Sequence, residues 1–93
     1  MRTIRRTARF KKDYRRERRG RYAATLDEDL VAVVTILVSD QPLPARCRDH
    51  ALSGEWRDHR DCHIHPDLVL IYRKPDSEFL DLVRLGSHSA LSL

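Results

Sequence analysis

The segment DHALSGEWRDHRDCHIHPDLVLI, residues Asp49–Ile71, decides the fold because it reads as two strands joined by a tight turn. Residues alternate in character from Trp56 to Ile64, which predicts a half-buried strand. Pro66-Asp67 predicts the turn, and the apolar run Leu68–Tyr72 predicts the second strand. The same segment holds four of the five histidines and the only tryptophan. This concentration of titratable side chains beside an apolar run indicates a functional site.

The segments flanking this hairpin extend the predicted sheet. Phe79–Leu85 is read as a third antiparallel strand, which ends before Gly86. Arg2–Arg6 alternates loosely and is read as a short first strand. Two prolines mark Ser39–Asp49 as a loop rather than a further strand.

The first of two helices is expected directly after the N-terminal strand. Thr7 is a suitable N-cap for a helix through Arg19, with Phe10 and Tyr14 one turn apart as its apolar anchor. Gly20 is typical of the residue that follows a helix C-terminus.

A second helix is expected to begin near Tyr22 or Thr25. Thr25 and Glu28 have the spacing of a capping box. Four apolar residues then share one stripe at helical spacing: Leu26, Leu30, Val33 and Leu37. The run Val31–Val38 is rich in β-branched residues, so a buried strand is the alternative. The length of the segment and the cap at Thr25 favour a helix. The predicted fold class is therefore α+β, a single domain over residues 1–93 with an N-terminal αα-hairpin packed on one face of a small antiparallel sheet.

Charge is distributed unevenly along the chain. The net charge is +4, but residues 1–22 carry +9 and the remaining residues carry −5. Arginine supplies most of the positive charge, and its planar guanidinium suits phosphate contacts. The basic N-terminal segment indicates RNA, DNA or an acidic protein as partner, with a merely solvated helix face as the equal alternative.

Several classes of protein are disfavoured by the sequence. No apolar run approaches the roughly 20 residues of a membrane helix, and no apolar signal core follows the basic N-terminus. Cys47 and Cys62 lack CxxC spacing and are expected to be reduced thiols. We therefore expect a cytoplasmic protein.

Two kinds of chemistry fit the histidines. His63 and His65 are two residues apart on a predicted strand, so both should face the same way, beside His59 and Asp61. His-x-His on a strand can bind zinc or iron, although neither HExxH nor CxxC accompanies it. The alternative is metal-free acid–base cleavage of RNA, in which imidazoles transfer protons from the 2′-OH and to the 5′-oxygen. Its candidate residues are His50, His63, Asp67 and His88, with Arg84 for the phosphate.

Four ordered motifs identify a family resemblance between residues 43 and 91. They are DHxLxG at Asp49–Gly54, RDCHI at Arg60–Ile64, PDxxxIY at Pro66–Tyr72 and RLGSH at Arg84–His88. In these motifs the chain resembles the YafQ branch of the RelE/ParE toxin superfamily. The N-terminal helices are similar in character rather than in letters.

The resemblance implies a ribosome-dependent endoribonuclease, a type II toxin that cuts mRNA in the ribosomal A site without a cofactor or metal. It implies Asp67 as general base and His88 as general acid, with His50 and His63 organising the phosphate. It also implies a hetero-oligomer with a cognate antitoxin of the DinJ/RelB type. A ParE-like gyrase inhibitor on the same fold, which would not need the histidines, is the alternative.

Basic residues are expected to hold phosphates of mRNA and ribosomal RNA. They are Arg84, Arg60, Arg9, Lys11, Lys12, Arg15 and Arg16. The chain departs from the family pattern at two positions. Ser92 replaces an aromatic residue suited to base stacking, and His65 replaces a common acidic residue.

Overall fold

A computed structural model describes all 93 residues, which form one mixed sheet with two helices. The strands and helices are β1 Thr3–Arg6, α1 Ala8–Glu17, α2 Leu26–Val38, β2 His50–Ala51, β3 Arg60–His65, β4 Leu68–Arg73 and β5 Phe79–Gly86. The strand order is β1-β5-β4-β3-β2. The α+β class and the antiparallel trio β3, β4 and β5 are confirmed. The sheet is mixed rather than purely antiparallel, because β1 pairs parallel with β5.

Helix α1 covers the part of β5 that extends beyond β1. The Thr7 side chain accepts a hydrogen bond from the backbone of Phe10 at 3.0 Å, so the predicted N-cap is confirmed. Asp13 accepts from the Leu85 backbone N–H at 3.0 Å, and Arg16 donates to the Leu85 carbonyl at 2.8 Å. These bonds satisfy backbone groups that an uncovered sheet edge would leave free. The helix ends at Glu17, earlier than expected.

Helix α2 forms where the alternative was a buried strand. Its predicted apolar stripe is buried at all four positions: Leu26, Leu30, Val33 and Leu37. The predicted capping box is wrong, because the Thr25 side chain makes no capping hydrogen bond. Three acidic residues in the first turn instead complement the positive end of the helix dipole.

Apolar side chains cover both faces of the sheet. The larger cluster joins the helices to Leu68, Leu70 and Tyr72 of β4. The smaller cluster, on the opposite face, contains Val69 and Ile71 with Leu91. The expectation of a single covered face is therefore incomplete, because the C-terminal turn covers part of the second face. No helix has the length and apolar character to cross a membrane.

A β-bulge interrupts the pairing of β3 with β4 between His63 and His65. The strand also begins at Arg60 rather than Trp56, which lies in a short 3₁₀ turn. Because a bulge inserts a residue and shifts the alternation of side chains, the prediction that His63 and His65 share one face is wrong. His63 lies beside His88, whereas His65 contacts Asp29 of α2.

Candidate active site

Three of the polar side chains are placed by strand pairing on the sheet face away from the helices. His50 of β2 pairs with Asp61 of β3, and Asp61 pairs with Ile71 of β4. His63 pairs with Val69 in the next row. Paired residues share a face, and Val69 and Ile71 belong to the smaller apolar cluster. His50, Asp61 and His63 therefore project from the same face.

Asp67 and His88 form the most direct interaction in this group. Asp67 Oδ1 accepts from the His88 backbone N–H at 3.1 Å and contacts its Nδ1 at 2.8 Å. Because a carboxylate only accepts hydrogen bonds, His88 Nδ1 carries the proton and Nε2 is left to act on a substrate. These hydrogen bonds lower the pKa of Asp67 below its ordinary value. Asp67 is therefore ionised at neutral pH.

His63 completes the cluster beside this pair. Its ring lies 5.0 Å from the His88 ring, centroid to centroid, at an interplanar angle of 71°. Partial burial lowers the pKa of His63, while the nearby Asp61 opposes that change. A neutral His63 can accept a proton at physiological pH.

Asp61 lies beneath the histidines and is 3% exposed. His50 Nδ1 donates to the Arg48 carbonyl at 2.7 Å and lies 3.1 Å from Asp61 Oδ1. The N–H is directed at the carbonyl, so Asp61 Oδ1 is a buried oxygen without a hydrogen-bond partner. Burial raises the pKa of Asp61, opposed by the charges of His50, His63 and then His88. This residue was not among the acid–base candidates from the sequence, although the RDCHI motif contains it.

The structure brings together His50, His63, Asp67 and His88, which are half-buried or exposed side chains rather than core residues. The alternative metal group does not form. His59 lies outside β3, His65 is turned to the helix side, and no group of three or more His, Cys, Asp or Glu side chains is arranged to hold a metal ion. The two cysteines are free and buried.

Several of the predicted phosphate-binding residues are already engaged by acids. Arg84 donates from Nε and Nη2 to Asp13, at 2.7 and 3.2 Å, and Arg60 donates to both oxygens of Asp49. Arg16 also contacts Asp13. Arg84 therefore keeps the two N–H groups of Nη1 and one of Nη2 for a phosphate, and its role stays a prediction.

The other predicted phosphate-binding residues lie on α1 rather than on the strands that carry the histidines. Lys11 and Arg15 line a groove between the helices and β1, and Arg9 lines a cavity beside Trp56. Lys12 is exposed. None of them lines the cleft that contains His63 and His88, and their roles stay predictions.

A cleft of about 740 Å³ opens beside His63 and His88. Arg46 and Arg48 line it and are exposed, although neither was among the candidate residues from the sequence. Their position next to His50 in the run RCRDH was the available signal. Arg48 adopts a left-handed backbone conformation with φ 47°, just before β2.

Two N-terminal helices pack on one face of a five-stranded sheet, and imidazoles and a carboxylate lie on the other, which is the arrangement of a RelE-like domain. The family described as "Bacterial toxin of type II toxin-antitoxin system, YafQ" matches residues 2–93. The chain therefore belongs to the YafQ toxin family.

Similar proteins agree with this assignment. The mRNA interferase toxin YafQ of Escherichia coli (strain K12) is 43% identical over 60 residues, which span 63% of this chain and 64% of that protein. The aligned part is thus just under two thirds of this relative. The crystal structure of YafQ from E. coli BL21(DE3) superposes with a TM-score of 0.84 at 33% identity and covers 98% of each chain. A crystal structure of the E. coli DinJ–YafQ complex gives a TM-score of 0.82 at 34% identity, again over 98% of each chain.

Proposed function

We propose that the chain is an endoribonuclease toxin that cuts mRNA in the ribosomal A site, in the cytoplasm, by acid–base catalysis without a metal. The observation that carries the proposal is the group formed by His63, His88 and Asp67, in which one imidazole is fixed by a carboxylate and a second imidazole faces it. The family and the name of the E. coli relative support RNA as substrate.

The cleavage needs one proton acceptor and one proton donor. Neutral His63 takes the proton of the 2′-OH, and the resulting oxygen attacks the adjacent phosphorus. The P–O5′ bond breaks, and His88, which enters the reaction protonated on both ring nitrogens, donates its Nε2 proton to the departing O5′. The products are a 2′,3′-cyclic phosphate and a 5′-hydroxyl.

Asp67 supports this reaction by orienting His88. The resemblance assigns Asp67 as general base, but its lowered pKa makes it a weak base and Oδ1 is engaged by His88. The geometry favours His63 as the base and Asp67 as the group that fixes the His88 tautomer and stabilises its positive charge. His50, held by the Arg48 carbonyl, faces the same site and can contact the phosphate.

An antitoxin partner is supported by a second surface. The groove between α1, α2 and β1 has an apolar floor that includes Phe10 and Leu30, and a rim that carries Lys11 and Arg15. An amphipathic, acidic antitoxin segment would complement this groove. The complex of the E. coli relative with DinJ supports a hetero-oligomer here as well.

The test is induction of the chain in bacteria, followed by sequencing of mRNA 5′ ends. We expect new cuts within coding regions, translational arrest, and loss of both in His88→Ala. His59→Ala is the matched control, because His59 lies on a loop outside the cluster and contacts Arg57 and Trp56. It should cut as the parent does.

Two results would contradict the proposal. If His88→Ala stays as toxic as the parent and leaves the same cut sites, the imidazole cluster is not the catalytic centre. If toxicity comes with DNA-damage signalling and intact mRNA, the ParE-like gyrase alternative is correct.

A further inference from the structure

The cleft beside the catalytic cluster continues beyond the histidines to a second polar group. His65 Nε2 contacts Asp29 Oδ2 at 2.7 Å, and Tyr22 stacks on the His65 ring with centroids 4.2 Å apart and planes 4° from parallel. Asp29 and His65 line the same cleft as His63 and His88. The β-bulge in β3 turns His65 towards this end of the cleft.

The cleft can hold an anionic ligand of nucleotide size. Its volume of about 740 Å³ falls within the range of small-molecule sites. Arg46 and Arg48 line it together with three histidines, and Asp29 is its only acidic residue. Guanidinium groups bind phosphate oxygens well, so the arginine wall is suited to the phosphate of a nucleotide.

Asp29 restricts which base can lie at the far end. Its Oδ2 is engaged by His65, and its Oδ1 makes no hydrogen bond within the protein. A carboxylate oxygen can only accept hydrogen bonds, so it favours a base edge that presents an amino group. Adenine, cytosine and guanine carry such a group, whereas uracil presents carbonyl oxygens on both sides of its single N–H.

We propose that Asp29, held by His65, reads the base of a nucleotide next to the scissile phosphate and selects bases that carry an exocyclic amino group over uracil. This inference rests on the proposed function and specifies its substrate preference. Arg46 and Arg48 hold the phosphate of that nucleotide, whatever its base.

The experiment titrates the whole protein with AMP, CMP, GMP and UMP and follows backbone amide signals by NMR. We expect shifts at Asp29 and His65 and tighter binding of the three amino-bearing nucleotides than of UMP. The expected factor is about three- to tenfold, which one net hydrogen bond supplies. Mononucleotides contain no internucleotide phosphodiester bond, so the binding result does not depend on RNA cleavage.

Two variants distinguish base reading by Asp29 from a purely structural role, in which the Asp29–His65 contact only joins α2 to β3. Asp29→Asn should remove the preference over UMP, because its amide can also donate to a carbonyl. Glu28→Gln is the matched control, since it removes the same charge from the same helical turn at an exposed position. Glu28→Gln should keep the preference over UMP. Arg46→Ala should weaken the binding of all four nucleotides by a similar factor.

The inference is overturned if the four nucleotides bind equally, if none shifts the amides that line the cleft, or if Asp29→Asn keeps the parent's ranking. Sequencing of mRNA 5′ ends then tests the proposed function separately. If the protein produces no mRNA cuts but still binds the amino-bearing nucleotides more tightly than UMP, the proposed ribonuclease activity is wrong and the base-reading site stands.

Discussion

Substitution of Asp61 by asparagine should move stability and activity in opposite directions. Asp61 is 3% exposed and its Oδ1 lacks a hydrogen-bond partner. Burial raises the pKa of this carboxyl, so its ionised form is disfavoured in the folded state. Asparagine has nearly the same shape without the charge.

The size of the stability gain follows from the charge, because asparagine keeps a polar atom without a partner at this position but is neutral. An unsatisfied buried polar group costs on the order of 1–3 kcal/mol, and an ionised one costs more. Attraction from the neighbouring histidines offsets part of the additional cost of the charge, so we expect Asp61→Asn to raise the free energy of unfolding by about 1–2 kcal/mol near neutral pH. For a domain of this size each kcal/mol raises the Tm by about 4–8 °C.

The sign of the pH dependence is fixed by the raised pKa. Below the ordinary carboxyl pKa, near 3.8, Asp61 is protonated in both folded and unfolded states and costs nothing. As the pH rises above that value, the unfolded state ionises first and the parent loses stability relative to the variant. The gain should therefore grow from about pH 4 towards neutrality.

Activity should fall in the same variant, because Asp61 supports the charge of His50 and His63 without touching RNA. We expect a loss smaller than the roughly 100- to 10,000-fold typical of removing an acid–base group. The assays are urea denaturation between pH 4 and 7 and rates of mRNA cleavage across the same range. Asp58→Asn is the exposed control, expected to lie within about 0.5 kcal/mol of the parent. A destabilised Asp61→Asn variant, or a gain in stability that does not depend on pH, would show that burial of the Asp61 charge does not destabilise the fold.

Three further outcomes are expected. Asp13→Asn should cost about 3–5 kcal/mol in urea denaturation, because two arginines lose their buried partner; a change as small as that of exposed Glu28→Gln would contradict the ion-pair assignment. Thr7→Ala should cost about 1 kcal/mol by thermal denaturation and Thr7→Ser much less, because serine also caps helices; equal losses would contradict the cap. Cys47 and Cys62 should resist iodoacetamide in the folded protein and react in urea, as counted by mass spectrometry, because both are buried and burial raises the pKa of Cys62; rapid labelling without urea would show that this core opens.

The elements could be predicted from the sequence because they depend on local patterns. The alternation of side-chain character predicts β3, and the turn at Pro66-Asp67 predicts the hairpin of β3 and β4. The helical spacing of apolar residues predicts α2. Thr7 as a cap is also a local signal. The motifs brought His50 and His88 into one hypothesis, and the structure places them on one face with His63.

The remaining features depend on contacts between distant residues. The bulge after His63 is determined by the pairing of β3 with β4, and it separates two histidines that strict alternation would place together. Arg84 looked free for phosphate, but Asp13 of α1 engages it across 71 residues of sequence. The parallel β1 likewise depends on how the helices return the chain to β5. No local pattern specifies these partners.

The proposed cleavage of RNA by the imidazoles of His63 and His88, with Asp67, can be tested by the single-turnover rate at which purified protein cuts a defined mRNA on translating ribosomes. We expect this rate to fall about 100-fold or more in His88→Ala and in His63→Ala, and to stay at the parent's value in His59→Ala. Cleavage by either cluster variant at the rate of the parent would contradict the proposal.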